Sequence, residues 1–148
     1  MADITASASR FIPAEPGRVY EAIADYTNQH PRILPGEFSD FRVESGGHGT
    51  GTIISLKVTL IGGSRQVRMA ITEPEPGRVL IETDSTTQTV TRFTVDPAEG
   101  GSTVKIDTRF PRSAGLRGVA ESVVAPGALR KLYFKELALL AAQVAEPA

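Results

Sequence analysis

The sequence predicts an α+β domain: a curved antiparallel sheet of seven strands wrapped around one long C-terminal helix, with two short helices after the first strand. Three observations predict it. Helical periodicity appears briefly near the start, six strand-like segments then follow between Gly- and Pro-rich turns, and apolar residues return at three- to four-residue steps at the end. A sheet of this kind buries one face, and a terminal helix that covers it makes a container. Something apolar is the expected content.

Residues 4–12 alternate Ile4, Ala6 and Ala8 against Thr5, Ser7 and Ser9 and stop at Pro13, the pattern of an edge strand with small inward side chains. Val19, Ala22, Ile23 and Tyr26 then fall at i, i+3, i+4, i+7, so a helix is expected over 16–26, started by Pro16 and Gly17. NQHPRILPG holds two prolines and allows one further helical turn before a loop.

Strand signals follow at hairpin spacing. Phe38 to Glu44 leads into Gly46-Gly47-His48-Gly49, and Ile54, Leu56, Val58 and Leu60 then alternate with Ser55, Lys57 and Thr59. Beyond Gly62-Gly63, Val67, Met69 and Ile71 share a face, and Glu73-Pro74-Glu75-Pro76-Gly77 reads as a turn. The alternation continues through Val79, Ile81 and Thr83, then Thr89, Thr91, Phe93 and Val95, and after Gly100-Gly101 through Val104, Ile106, Thr108 and Phe110. Leu116 to Val124 is expected to be a helical turn or a flexible segment. The main helix starts or kinks at Pro126-Gly127, and Leu129, Leu132, Tyr133, Leu137, Leu140 and Val144 form its sheet-facing stripe.

At 148 residues with no repeat or linker, one domain spanning 1–148 is expected. With 16 basic against 17 acidic side chains, the chain lacks the positive field that phosphate backbones require, so no nucleic-acid partner is expected. The absence of cysteine excludes disulfides and thiolate nucleophiles and fits a reducing, cytoplasmic setting. MADITASASRF has no basic n-region or apolar h-region, and no apolar stretch nears the roughly 18 residues of a span. Neither a signal peptide nor stable membrane insertion is expected.

The order of elements resembles the START-like, or helix-grip, fold of the SRPBCC superfamily, and in particular the polyketide cyclase/dehydrase and lipid transport family. FIPAEPGRVYEAIADY resembles the family opening, NQHPRILPG its proline-spaced short helix, GGHGTGT its glycine hairpin, and EPEPGRVLIE its glutamate-proline turn. The resemblance implies a cavity between the sheet and the C-terminal helix that binds a lipid, polyketide, isoprenoid or similar molecule. It also leaves open a cyclase or dehydratase acting on such a ligand, or a quinone or membrane-lipid chaperone in transient membrane contact. No catalytic signature carries over, and neither a cofactor nor a metal is expected. The oligomeric expectation is a monomer or homodimer.

The inward rows give Leu56, Val58, Met69, Ile81, Phe93, Phe110, Leu129 and Leu137 as cavity walls or packed core. Thr91, Thr108 and Tyr133 place hydroxyls on an otherwise apolar face, where a ligand oxygen is one conceivable partner and backbone or water the expected one. His30 and His48 fall in loops beside Pro or Gly and are expected to be solvated, with no spacing that makes a zinc site or a base. Glu73 and Glu75 are likewise expected to be solvated turn residues of ordinary acidity. GGHGTGT lacks the helix and lysine of a phosphate loop and reads as a hairpin. Arg109, Arg112, Arg117, Arg130, Lys131 and Lys135 form a basic group near the last helix, expected to be a solvated face and open to an anionic head group or surface.

Overall fold

The computed structural model describes residues 4–60, 63–110 and 126–145. Strand β1 (Ile4–Ile12) is followed by helix α1 (Pro16–Ala24) and one 3-10 turn (His30–Ile33). Six strands come next: β2 (Phe38–Ser45), β3 (Ile53–Leu60), β4 (Gly63–Glu75), β5 (Val79–Asp84), β6 (Thr89–Ala98) and β7 (Gly101–Phe110). Helix α2 (Pro126–Ala145) ends the described chain. Residues 111–125, with the expected turn over Leu116 to Val124, lie outside the described residues.

The strands form one antiparallel, seven-stranded sheet in the order β1-β7-β6-β5-β4-β3-β2. Consecutive strands from β2 to β7 are neighbours, as short glycine-containing connections dictate. Strand β1 closes onto β7 with Ile4 opposite Phe110 and Ile12 opposite Ser102. Register shifts interrupt β2 between Ser39 and Arg42 and between Val43 and Ser45, and β4 between Thr72 and Glu75. Such irregularities bend a strand and increase its twist, which curls the sheet around α2.

Two boundaries differ from the sequence expectation. Strand β4 runs on through Glu75, which pairs with Val79, so only residues 76–78 turn. The irregularity after Thr72 absorbs Pro74, which has no N–H to give the ladder. Helix α1 stops at Ala24 rather than Tyr26 because the glycine loop between β2 and β3 takes over its C-terminus. Gly49 N–H donates to Ala24 O at 3.0 Å, and Tyr26 N–H donates to Gly47 O at 2.9 Å. Tyr26 stays fully buried but has left the helix.

Helix α2 lies against β1, α1 and the 3-10 turn. Ala6, Ala8 and Ile12 are buried side chains of β1, and the small Ala6 and Ala8 let the helix pack close against this strand. The buried stripe of α2 is Leu129, Leu132, Tyr133, Glu136, Leu137, Leu140 and Val144. Each fully buried leucine is worth about 1.5–3 kcal/mol of transfer free energy, so the stripe fixes the helix to the sheet. One member, Glu136, is a carboxylate. Among the described residues no helix is long and apolar enough to cross a membrane.

Candidate functional site

A cavity of about 100 Å3 lies between the concave face of the sheet and α2. Its two sides differ in chemistry because the strand order separates them. Leu34, Phe38 and the inward residues of β3 and β4, Ile54, Leu56, Val58, Val67 and Met69, make one side apolar. The inward residues of β5 to β7 make the other side polar: Glu82 and Asp84, then Thr89 and Thr91, then Thr108. Phe93 on β6 interrupts that polarity, and Arg65 on β4 reaches Asp84 with Nη2 3.4 Å from Oδ2.

The polar groups align because the strands are in register. Glu82 stands opposite Thr91, and Thr91 opposite Thr108, so one row crosses β5, β6 and β7. Residues directly opposite on one face have side chains within reach of each other. Thr91 and Thr108 hydroxyls are hydrogen-bonded at 2.8 Å, and the Thr108 hydroxyl bonds that of Tyr133 on α2. The three hydroxyls thus satisfy one another, where backbone or water was the expected partner. Burial pushes the Tyr133 hydroxyl well above its usual acidity range, so it stays protonated.

A second group meets the row at Glu82. The Tyr26 hydroxyl donates to Glu82 Oε2 at 2.6 Å. The Tyr26 ring stacks on the His30 imidazole with centroids 4.2 Å apart, and Phe93 meets that imidazole edge-on at 5.8 Å. His30 Nδ1–H donates to Ile23 O at 2.6 Å, and Nε2 lies 3.7 Å from Glu82 Oε2. His30 is 1% exposed and lines the cavity, so the expectation of a solvated loop histidine is overturned. The 3-10 turn carries it inward, which Pro31 beside it did not signal.

Burial governs the ionisation of these groups. It lowers His30 to about 4 and keeps the imidazole neutral. It raises Glu82 to about 7, against an opposing effect of the Tyr26 hydrogen bond. Glu136, 3% exposed at the cavity, is pushed well above the usual carboxylate range, first by desolvation and then by repulsion from Glu82. No hydrogen bond among the described residues involves the Glu136 carboxyl, which keeps some open surface toward the cavity, since no fully covered side-chain oxygen there lacks a partner. No group of three or more potential ligating side chains able to hold a metal is found among the described residues.

Of the cavity residues expected from sequence, Leu56, Val58, Met69, Thr91, Phe93, Thr108, Leu129 and Tyr133 line this space. Leu137 is fully buried in the core away from it. The side chain of Phe110 lies outside the described residues. Ile81 is a correction: in β5 the buried residues are Leu80, Glu82 and Asp84, and Ile81 is half-buried on the other face. The β-branched Val79, Ile81 and Thr83 suggested the wrong phase, and pairing of Leu80 with Phe93 sets the observed one. Sequence reasoning missed Glu82, Glu136 and His30. Glu136 was findable, since it sits at helical spacing inside the Leu132, Tyr133, Leu137, Leu140 stripe.

Glu73 is also corrected. It is half-buried on β4, accepting the Tyr20 hydroxyl at 2.6 Å and Thr50 N–H at 2.8 Å. These bonds outweigh its burial and hold its carboxyl below the usual range. His48 is solvent-exposed, as expected, with Nε2 2.9 Å from Glu21 Oε1. Of the basic group, Arg130 lies 5.5 Å over the Phe134 ring and Lys135 binds Glu37 at 2.5 Å. Arg112 and Arg117 lie outside the described residues.

The family described as polyketide cyclase / dehydrase and lipid transport matches residues 3–145. Among solved structures, the chain is similar to the KanY protein (ms6282), determined by NMR. The two are 31% identical over 99% of this chain and 100% of that one, with a TM-score of 0.86. It is similar in fold to protein CV1439 from Chromobacterium violaceum, at 20% identity over 97% of this chain and 99% of that one (TM-score 0.71). The di-domain ARO/CYC BexL from the BE-7585A biosynthetic pathway shares 14% identity, covering 99% of this chain and 52% of that one (TM-score 0.77). No curated protein matches the sequence.

Proposed function

Given that the chain belongs to the polyketide cyclase / dehydrase and lipid transport family and has its helix-grip fold, we propose that it binds a small hydrophobic molecule with a polar group in the space between sheet and α2. The observation that carries this reading is the two-sided cavity, apolar along β3 and β4 and polar along β5 to β7. An apolar pocket with a few convergent polar groups suits a ligand with a greasy body and an oriented head. Its about 100 Å3 falls below the roughly 300 Å3 at which drug-sized pockets begin. A single ring or short chain therefore fits the space as it stands, and a fused polyketide requires α2 to move off the sheet.

Titration with benzyl alcohol, an apolar ring with one hydroxyl, tests the reading on protein labelled at Ile, Leu, Val and Met methyls. The expected result is saturable movement of the Ile54, Leu56 and Met69 signals. A titration that leaves those three still while the alcohol is in large excess overturns it.

One observation favours a cyclase or dehydratase as the second reading. Glu82 lines the cavity and accepts one hydrogen bond, from Tyr26, and burial raises it to about 7, which suits a carboxyl for proton exchange near neutral pH. Under this reading a ligand incubated with the protein returns as a different compound, ring-closed at the same mass or dehydrated with loss of water, whereas a carrier returns it unchanged.

A further inference from the structure

The cavity holds more carboxyl groups than cations. Three acidic side chains line it, Glu82 and Asp84 from β5 and Glu136 from α2, and among the described residues Arg65 is the lining cation. Arg65 is committed to Asp84 at 3.4 Å. Glu82 has one donor, the Tyr26 hydroxyl, and His30 beside it is neutral. Glu136 is 3% exposed, borders the cavity and takes no hydrogen bond from a described residue. Ionising a carboxyl in an apolar cavity is costly, and a donor of opposite charge beside it offsets that cost. An alcohol offers one weak donor; an ammonium offers three hydrogens and the missing charge.

Resting on the cavity-binding reading above, we propose that the ligand carries a protonated amine on an apolar body, and that its nitrogen donates to Glu82 and Glu136 while the body lies against β3 and β4. The groups facing the two carboxyls are Tyr26 after α1, His30 on the 3-10 turn, Arg65 on β4, Asp84 on β5 and Tyr133 on α2. Of these only Arg65 is cationic at neutral pH, and it is already paired. Burial raises both Glu82 and Glu136, so an ammonium that binds them as carboxylates releases a proton to solvent. Affinity for an amine therefore rises with pH until Glu82 is ionised before binding. Affinity for a neutral alcohol does not rise, since an ionised carboxyl in an apolar cavity is unfavourable to it.

Benzylamine and benzyl alcohol have nearly the same shape and separate charge from packing. Both are titrated into the full chain at pH 6, 7 and 8, with methyl signals as readout. The expected result is at least tenfold tighter binding of benzylamine at pH 8 than at pH 6, and at least tenfold weaker benzylamine binding by Glu136→Gln and by Glu82→Gln. A single cooperative thermal transition of each variant shows that it folds. Benzyl alcohol binding as well as or better than benzylamine at every pH, or benzylamine affinity untouched by Glu136→Gln, overturns the amine proposal and leaves the cavity reading standing. Binding of neither probe overturns both.

Discussion

Glu82 Oε2 and His30 Nε2 face each other at 3.7 Å, the distance of an ion pair, yet the contact is not one near neutral pH. Burial holds His30 neutral above about 4 and holds Glu82 protonated up to about 7. Between those values both partners are uncharged, and the proton that an exposed pair would place on imidazole sits on the carboxyl.

This arrangement sets opposite pH dependences that nearly cancel. The Glu82 carboxyl is raised from 4.5 to about 7, so the folded chain holds a proton there that the unfolded chain loses. Its contribution is most favourable below 4.5 and is lost as pH rises to about 7. His30 is lowered from 6.5 to about 4, so the unfolded chain binds the extra proton, and its contribution falls as pH drops from 6.5 to about 4. Each shift corresponds to roughly 3 kcal/mol. Relative to the parent, Glu82→Gln should gain stability as pH rises from 4.5 to 7, and His30→Gln should gain as pH falls from 6.5 to 4. Urea denaturation across that range reads both differences, and parallel curves for parent and variants refute the pairing.

Gly49 and Glu73 test the corrected position of β4. A Cβ on Gly49 would overlap Glu73 Oε1, and φ there is +61°, a conformation costly for other residues. The carboxyl cannot retreat freely, because Tyr20 and Thr50 hold it. Gly49→Ala should therefore cost about 2–3 kcal/mol, of which about 1–2 kcal/mol is backbone strain. In a Glu73→Ala background the steric part disappears and only the backbone part remains. Strict additivity of the two substitutions in denaturant midpoints contradicts the contact.

The hydroxyl row makes a ranked prediction. Thr108 bonds both Thr91 and Tyr133, so Thr108→Val strips two buried hydroxyls of a partner, and Tyr133→Phe strips one. Thr108→Val should cost about 2 kcal/mol and Tyr133→Phe about 1 kcal/mol, given about 1 kcal/mol per net hydrogen bond. Thermal or urea unfolding that places Tyr133→Phe at the greater cost breaks the row as described.

Much of this molecule follows from local pattern. Alternation and turn residues fixed all seven strands, with β1 ending at Ile12, and helical spacing found α1 and the Leu129 to Val144 stripe. Leu56, Val58, Met69, Thr91, Phe93 and Thr108 face the space between sheet and helix, because a strand that buries one face must send alternate residues inward, and Leu129 and Tyr133 reach it from the helical stripe. Ile81 failed because apolarity alone chose the phase of β5, while its true inward residues include two carboxyls. His30 failed because a Pro-flanked position says nothing of what packs over it.

The sequence by itself determined the elements, the antiparallel class of the sheet and the family, since these depend on periodicity and turn chemistry within short stretches. Tertiary structure alone decided that Glu82, Glu136 and His30 meet in one enclosed space, far apart in the chain and drawn from a strand, a helix and a 3-10 turn. Their ionisation depends on how much water and countercharge the packed fold leaves around them, and no local pattern encodes that.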